Sequence, residues 1–288
     1  MRRAQQEQGV PITAGRELAG AALWNVWGDL RRTNFEDRRH GLDLDNDFWV
    51  MTVGVDRRFR DDVVAGLSVN YQSSDSESFG GTLNGQAEGF SISPYFAAQL
   101  SRHWAIDISL SYGRTEIDTS LAVLDGSYDV TTFGGALNAH GQFSLGSSAN
   151  FRPTLSLSLS HIHSEDYDLE GTVLGRHISV ELPETSSGSG IVTLSGEINK
   201  LFGVGGNSLV EPYGEVGIQY AFLRHNDGQI LTGDFDIVDS GAWSGTVRSG
   251  LRIFAAPALM IELGAAYLSL GQSHLDVWEG KFYASLRF

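Results

Sequence analysis

The chain has 288 residues, a net charge of −15 at pH 7 and no cysteine. Disulfides, thiol nucleophiles and thiolate metal sites are therefore excluded, and long-range repulsion argues against a nucleic-acid partner. Thirty-five glycines against six prolines favour strands and turns over helices.

The opening MRRAQQEQGVPITAG has two arginines but no apolar core behind them, so it does not read as a signal peptide. TAGRELAGAALW (13–24) combines Thr13, Glu17 and several Ala and Leu, which predicts a short helix; Gly15 and Gly20 make it marginal in isolation. Residues 1–21 are expected to be a linker and 22–288 a single barrel domain. About twelve period-two segments follow, each close to the roughly 9–11 residues that a tilted strand needs to cross a bilayer. They lie near 22–34, 47–59, 63–73, 87–100, 104–116, 129–144, 151–164, 190–202, 209–224, 242–255, 258–270 and 276–288. The longest apolar run, 253–261, is broken by Pro257 and stopped by Glu262, so no transmembrane helix is expected.

The two faces of each segment separate cleanly. Trp104, Ile106, Ile108, Leu110 and Tyr112 alternate with Ala105, Asp107, Ser109, Ser111 and Gly113, and in the last segment Trp278, Phe282, Leu286 and Phe288 oppose Glu279, Lys281, Tyr283, Ser285 and Arg287. Short links (RFRDD, LSRH, GSSA, GVGGNS, AAPA) alternate with long polar ones such as SSDSESFGGTLNGQ, EIDTSLAVLDGSYD and the stretch 164–190. Short on one end and long on the other is the division between periplasmic turns and extracellular loops of an outer-membrane barrel. Aromatics gather near both strand ends: Trp49, Tyr71, Tyr112, Tyr220, Trp243 and Trp278 toward the long loops, Phe59, Trp104, Phe254 and Phe288 toward the short turns. The predicted fold is all-β, a closed antiparallel transmembrane β-barrel of about twelve strands, with a short N-terminal helix in or near the pore. An open edge in lipid would leave backbone groups unpaired, so the last strand must meet the first. Alternation assigns Asp29, Arg31, Asp56, Asp107, Glu197, Glu215, Arg248, Arg252, Glu262, Glu279, Lys281 and Arg287 to the lumen.

These stretches, above all WNVWGDLRR (24–32), the hairpin FWVMTVGVDRRF–RDDVVAGLSVNY (48–71) and the terminal KFYASLRF, resemble the translocator barrel of the autotransporters, the type V secretion family. The resemblance covers nearly the whole chain. It implies twelve strands around a pore holding an N-terminal helix, and a passenger joined at the N-terminus and carried to the cell surface. It also implies that Trp278, Phe282, Leu286 and Phe288 form a signal read by the barrel-assembly machinery. Family members usually carry far more chain ahead of the barrel than the roughly twenty residues here. Those that cut themselves use an Asn-Asn junction, whereas Asn25 is followed by Val26, so self-cleavage is not supported.

Other chemistry is thin. DLDND (43–47) alternates carboxylates, but Phe48 stands where a calcium loop needs its turning glycine and Gly54 where it needs its bidentate acid. The pair in HIH (161–163) lacks a third ligand. No GxSxG elbow occurs; Asp166, Asp168 and His177, or Asp234, Asp236 and His225, are the sets that a loop protease would assemble. Neither a catalytic role nor a cofactor or metal is expected. The expected function is a monomeric outer-membrane translocator of a Gram-negative bacterium, its barrel termini periplasmic and its long loops extracellular, in contact with outer-membrane lipid, lipopolysaccharide, the assembly machinery and its passenger. The rivals are a passive channel and a surface enzyme or adhesin acting through its loops.

Overall fold

The computed structural model describes residues 22–38, 43–146, 149–205, 208–226, 242–256 and 258–288. Sixteen strands occur among them: β1 Trp24–Asp37, β2 Leu44–Arg60, β3 Val63–Ser78, β4 Leu83–Gln99, β5 Trp104–Leu121, β6 Leu124–Gly141, β7 Phe143–Leu145, β8 Ala149–Ser164, β9 Tyr167–Val173, β10 Arg176–Leu182, β11 Thr185–Lys200, β12 Phe202–Gly205, β13 Ser208–Asn226, β14 Trp243–Ala256, β15 Leu259–Leu270 and β16 Leu275–Arg287. Twelve of them form a closed antiparallel ring in the order β1-β2-β3-β4-β5-β6-β8-β11-β13-β14-β15-β16. The seam is a full ladder from Asn25 opposite Arg287 to Asp37 opposite Leu275, and Trp24 and Phe288 exchange backbone hydrogen bonds of 2.9 and 3.1 Å at its foot. Every ring strand thus has two neighbours, which satisfies backbone groups that hydrocarbon could not.

Inward and outward positions follow the period of two. Val26 and Leu30 on β1, Met51, Val53 and Val55 on β2, Ile108 and Leu110 on β5, Leu194 and Ile198 on β11 and Phe282 and Leu286 on β16 all lie exposed on the outside. A continuous apolar belt of that extent would be a liability in water and is the required surface in lipid. Of the aromatics assigned to the strand ends, Phe254 is corrected. It is 3% exposed and packs inside the ring with Met260 and Tyr283. It shares its parity with Thr246, Arg248 and Arg252, so alternation overrides its proximity to the strand end.

The links at 73–86 and 116–129, expected as loops, are continuations of the β3–β4 and β5–β6 hairpins, with Ser73 opposite Glu88 and Glu116 opposite Asp129. Polar side chains end the apolar alternation without ending the backbone ladder, because water on both faces suits them equally. In the connection 164–190, β9 and β10 form a hairpin that turns at Leu174 and Gly175, both at positive φ, as a two-residue hairpin loop requires. It rests on β6 through Leu124 opposite Gly171 and through the stacked rings of Tyr128 and Tyr167, 4.2 Å apart. Burial, with a smaller contribution from Tyr128, pushes the Tyr167 phenol up to about 12. The helix expected over 13–24 lies outside the described residues except at its end, where Ala22 and Leu23 are irregular and Trp24 already belongs to β1. Among the described residues no helix is long and apolar enough to cross a membrane.

Candidate functional site

Side chains of two strands separated by a third can touch only on the concave face of a closed sheet, so such contacts identify the lumen. Arg252 on β14 reaches over β13 to Glu197 on β11, Arg248 on β14 reaches over β15 to Glu279 on β16, and Tyr95 on β4 reaches over β3 to Asp56 on β2.

Arg252 is the hub. Its guanidinium donates to both carboxylate oxygens of Glu197 at 2.5 and 2.8 Å, to Glu211 at 2.8 Å and to Glu262 at 3.2 Å, while its flat face lies 4.2 Å from the ring of Tyr213. A planar fork on a three-carbon stem suits this convergence better than an ammonium would. Arg152 adds a second cation to Glu211 and Glu197 at 3.3 and 3.6 Å. From Glu262 the chain of contacts passes to Lys281 at 3.0 Å, then to Asp29 at 3.9 Å, Arg31 at 2.7 Å and Glu279 at 3.8 Å. Glu279 returns to Arg248, which also meets Glu215. Nine of the twelve residues assigned by alternation thus join one network along β11, β13, β14, β15, β16 and β1.

Asp107, Asp56 and Arg287 complete the inward set. Asp107 accepts from Asn138 at 2.7 Å and lies 2.6 Å from His140. Asp56 accepts from Asn25 at 2.9 Å and from Tyr95 at 3.0 Å. Arg287 is 4% exposed at the foot of the seam, opposite Asn25.

Sequence reasoning missed Arg152 and Glu211 and the lumenal rings. Glu211 has the parity of Glu215, and Arg152 alternates with Phe151 and Leu155, so both were within reach of the same rule. Trp27 has the parity of Asp29, but an apolar ring is not the obvious tenant of a polar face. Its place is made by Gly54: a Cβ there would collide with the Trp27 indole. Trp27 also donates to Tyr95 at 2.7 Å and stacks on Tyr283 with centroids 6.1 Å apart. Tyr213 likewise lies over Gly250 and Gly264; a Cβ on Gly250 would fall 2.6 Å from its Cζ and closer still to the Leu263 carbonyl. Because that carbonyl is backbone, Gly250→Ala is expected to cost about 1–3 kcal/mol in urea unfolding from vesicles. Gly280→Ala on the outer face, where a Cβ would meet nothing within 4 Å, is the control and is expected to stay within about 0.5 kcal/mol.

The remaining candidates are dispersed. In the acidic stretch, Asp45 is held by Arg38 at 2.9 and 3.1 Å and Asp47 by Arg32 at 2.7 and 2.9 Å, so these carboxylates are committed to guanidinium forks. His163 meets Ser186 at 3.1 Å. Asp168 lies opposite Glu181, whereas His177 lies opposite Thr172. Four residues along a strand separate those positions by about 13 Å, so the set Asp166, Asp168 and His177 is not brought together. Asp234 and Asp236 lie outside the described residues. Trp278, Phe282, Leu286 and Phe288 point outward, between 44% and 67% exposed.

The autotransporter beta-domain family matches residues 26–265. Comparison with curated protein sequences finds no match. Among solved structures, the translocator domain of the autotransporter NalP from Neisseria meningitidis is similar with a TM-score of 0.75 at 11% identity, over 96% of this chain and 92% of that one. The beta domain of the Bordetella autotransporter BrkA aligns with a TM-score of 0.71 at 14% identity, over 92% and 100%. The transport unit of AIDA-I from Escherichia coli aligns with 0.58 at 10% identity, over 100% and 97%. At these identities the likeness is one of fold. The family match, running from the first ring strand into β15, is what decides membership: this chain belongs to the autotransporter beta-domain family and is an outer-membrane β-barrel.

Proposed function

We propose that the barrel is a translocator that anchors in the outer membrane and helps export a passenger joined at its N-terminus. The observation that carries this reading is the seam: β1 begins and β16 ends at the same short-turn rim, where Trp24 and Phe288 pair. Chain preceding β1 therefore arrives at that rim, beside a lumen lined with polar and charged groups that can solvate an extended polypeptide. In this reading the short turns face the periplasm, the long hairpins face outside, residues 1–21 are the linker and 22–288 the translocator. The outward rings of Trp278, Phe282 and Phe288 support recognition by the assembly machinery. A ring without open edges supports a monomer, and the apolar belt supports contact with phospholipid and lipopolysaccharide. The reading gives the chain no catalytic step.

The test is a reporter with an epitope, fused ahead of residue 1 and expressed in a Gram-negative host. External protease is expected to remove the epitope from intact cells. An epitope that stays protected while the barrel is folded in the outer membrane overturns the export role.

A further inference from the structure

The lipid-facing cations of the two rims are handled differently. At the long-hairpin rim, Arg32 lies 5.2 Å from the Trp49 ring centre and is also forked onto Asp47 at 2.7 and 2.9 Å, and Arg114 is bound to Asp129 at 2.5 Å. Both are neutralised within the protein. At the short-turn rim, Arg57 continues the outward row of Met51, Val53 and Val55. Its guanidinium is flanked by the rings of Trp24 and Phe59, each at 5.4 Å. Lys200 continues the outward row of Leu194 and Ile198 and lies 5.2 Å from the ring of Phe202. No carboxylate among the described residues pairs with either, although Arg60 nearby is bound to Asp62 at 3.2 Å. The rings orient these cations and leave their hydrogen-bond donors open.

We propose that Arg57 with Trp24 and Phe59, and Lys200 with Phe202, bind the phosphate groups of phospholipid headgroups in the leaflet at the short-turn rim. A cation one step below a hydrocarbon-facing row lies at headgroup depth, and its stem packs along apolar surface while its charged end reaches the interface. In a chain of net charge −15, unneutralised cations at this level have lipid phosphate as their nearest abundant anion. The two sites lie on different parts of the ring, on β2 and at the end of β11, so together they fix the depth and tilt of the barrel. This inference rests on the bilayer seating of the barrel and on no assumption about export.

The test uses the full chain refolded into phosphatidylcholine vesicles containing phosphatidylglycerol, extracted in mild detergent and scored for retained phosphatidylglycerol by native mass spectrometry. The double variant Arg57→Gln with Lys200→Gln is expected to lower retention about fivefold, the factor that corresponds to about 1 kcal/mol per cation at an anionic lipid surface, and each single glutamine variant, which leaves the other site intact, to lower it by up to about twofold. Arg57→Lys and Arg32→Gln are expected to keep retention near the original level. Unchanged retention in the double variant overturns the proposal, as does an equal loss in Arg32→Gln. Inorganic phosphate that displaces the lipid as readily as added phosphatidylglycerol does would assign the sites to free phosphate and overturn the lipid assignment. A barrel that enters the vesicles yet fails these comparisons removes only this inference, whereas a chain that does not enter them removes the membrane seating itself.

Discussion

Replacing Arg252 by methionine is expected to lower the unfolding free energy of the barrel in lipid vesicles by about 3–5 kcal/mol, the range for removing one partner from a buried ion cluster. The substitution removes four hydrogen bonds from three carboxylates at once. The side chains of Glu197, Glu211 and Glu262 are between 5% and 7% exposed and Arg252 itself is 11% exposed, so bulk water cannot replace the lost donors. Glu262 keeps Lys281 at 3.0 Å and Glu211 keeps Arg152 at 3.3 Å, so the heaviest loss falls on Glu197, which Arg252 holds through both oxygens. The double variant Arg252→Met with Glu197→Gln should cost less than the sum of the single changes, because the second change removes a charge that the first left bare; couplings of about 0.5–3 kcal/mol are usual for groups in one network. Urea titration monitored by tryptophan fluorescence measures both. A loss below about 1 kcal/mol for Arg252→Met would mean that water already screens the cluster.

A charge placed on the outer face probes the other half of the architecture. Val53→Arg is expected to destabilise the vesicle-inserted barrel by about 2–4 kcal/mol, the cost of an arginine at mid-bilayer depth on the lipid face of a barrel. Val123→Arg, in the turn between β5 and β6 beyond the belt, is expected to change stability by no more than about 0.5 kcal/mol. The two valines are 51% and 58% exposed, so contact with water would make the substitutions equivalent. Only hydrocarbon around Val53 separates them. Equal effects in the same urea titration would place Val53 outside the hydrocarbon layer.

The strand segments and their faces were legible in the chain itself. Period-two alternation is a local property: neighbouring side chains on a strand point to opposite sides whatever the rest of the chain does, so Leu194 and Ile198 declare one face and Glu197 the other. The alternation of short and long connections carried the topology. Phe254 shows the same rule surviving a competing signal, since its parity with Arg252 prevailed over its position near a strand end.

Other features depended on curvature and on partners distant in sequence. The ladders beyond residues 73 and 116 carry no apolar alternation, because both faces meet water there, so nothing local marks them as paired. The β9–β10 hairpin exists where Leu124 and Tyr128 offer it a surface from a strand much earlier in the chain, Leu124 under Gly171 and Tyr128 under Tyr167. The aromatic rings in the lumen need glycines on neighbouring strands, Gly54 under Trp27 and Gly250 under Tyr213. The convergence of Glu197, Glu211 and Glu262 on Arg252 likewise needs the closed sheet to bend alternate strands within reach of one another. Sequence by itself determined which side chains face lipid and which face inward, because that choice is made one residue at a time. Which inward groups meet was decided only by the tertiary structure, because the distance between strands two apart on a concave face is set by the closure of the ring.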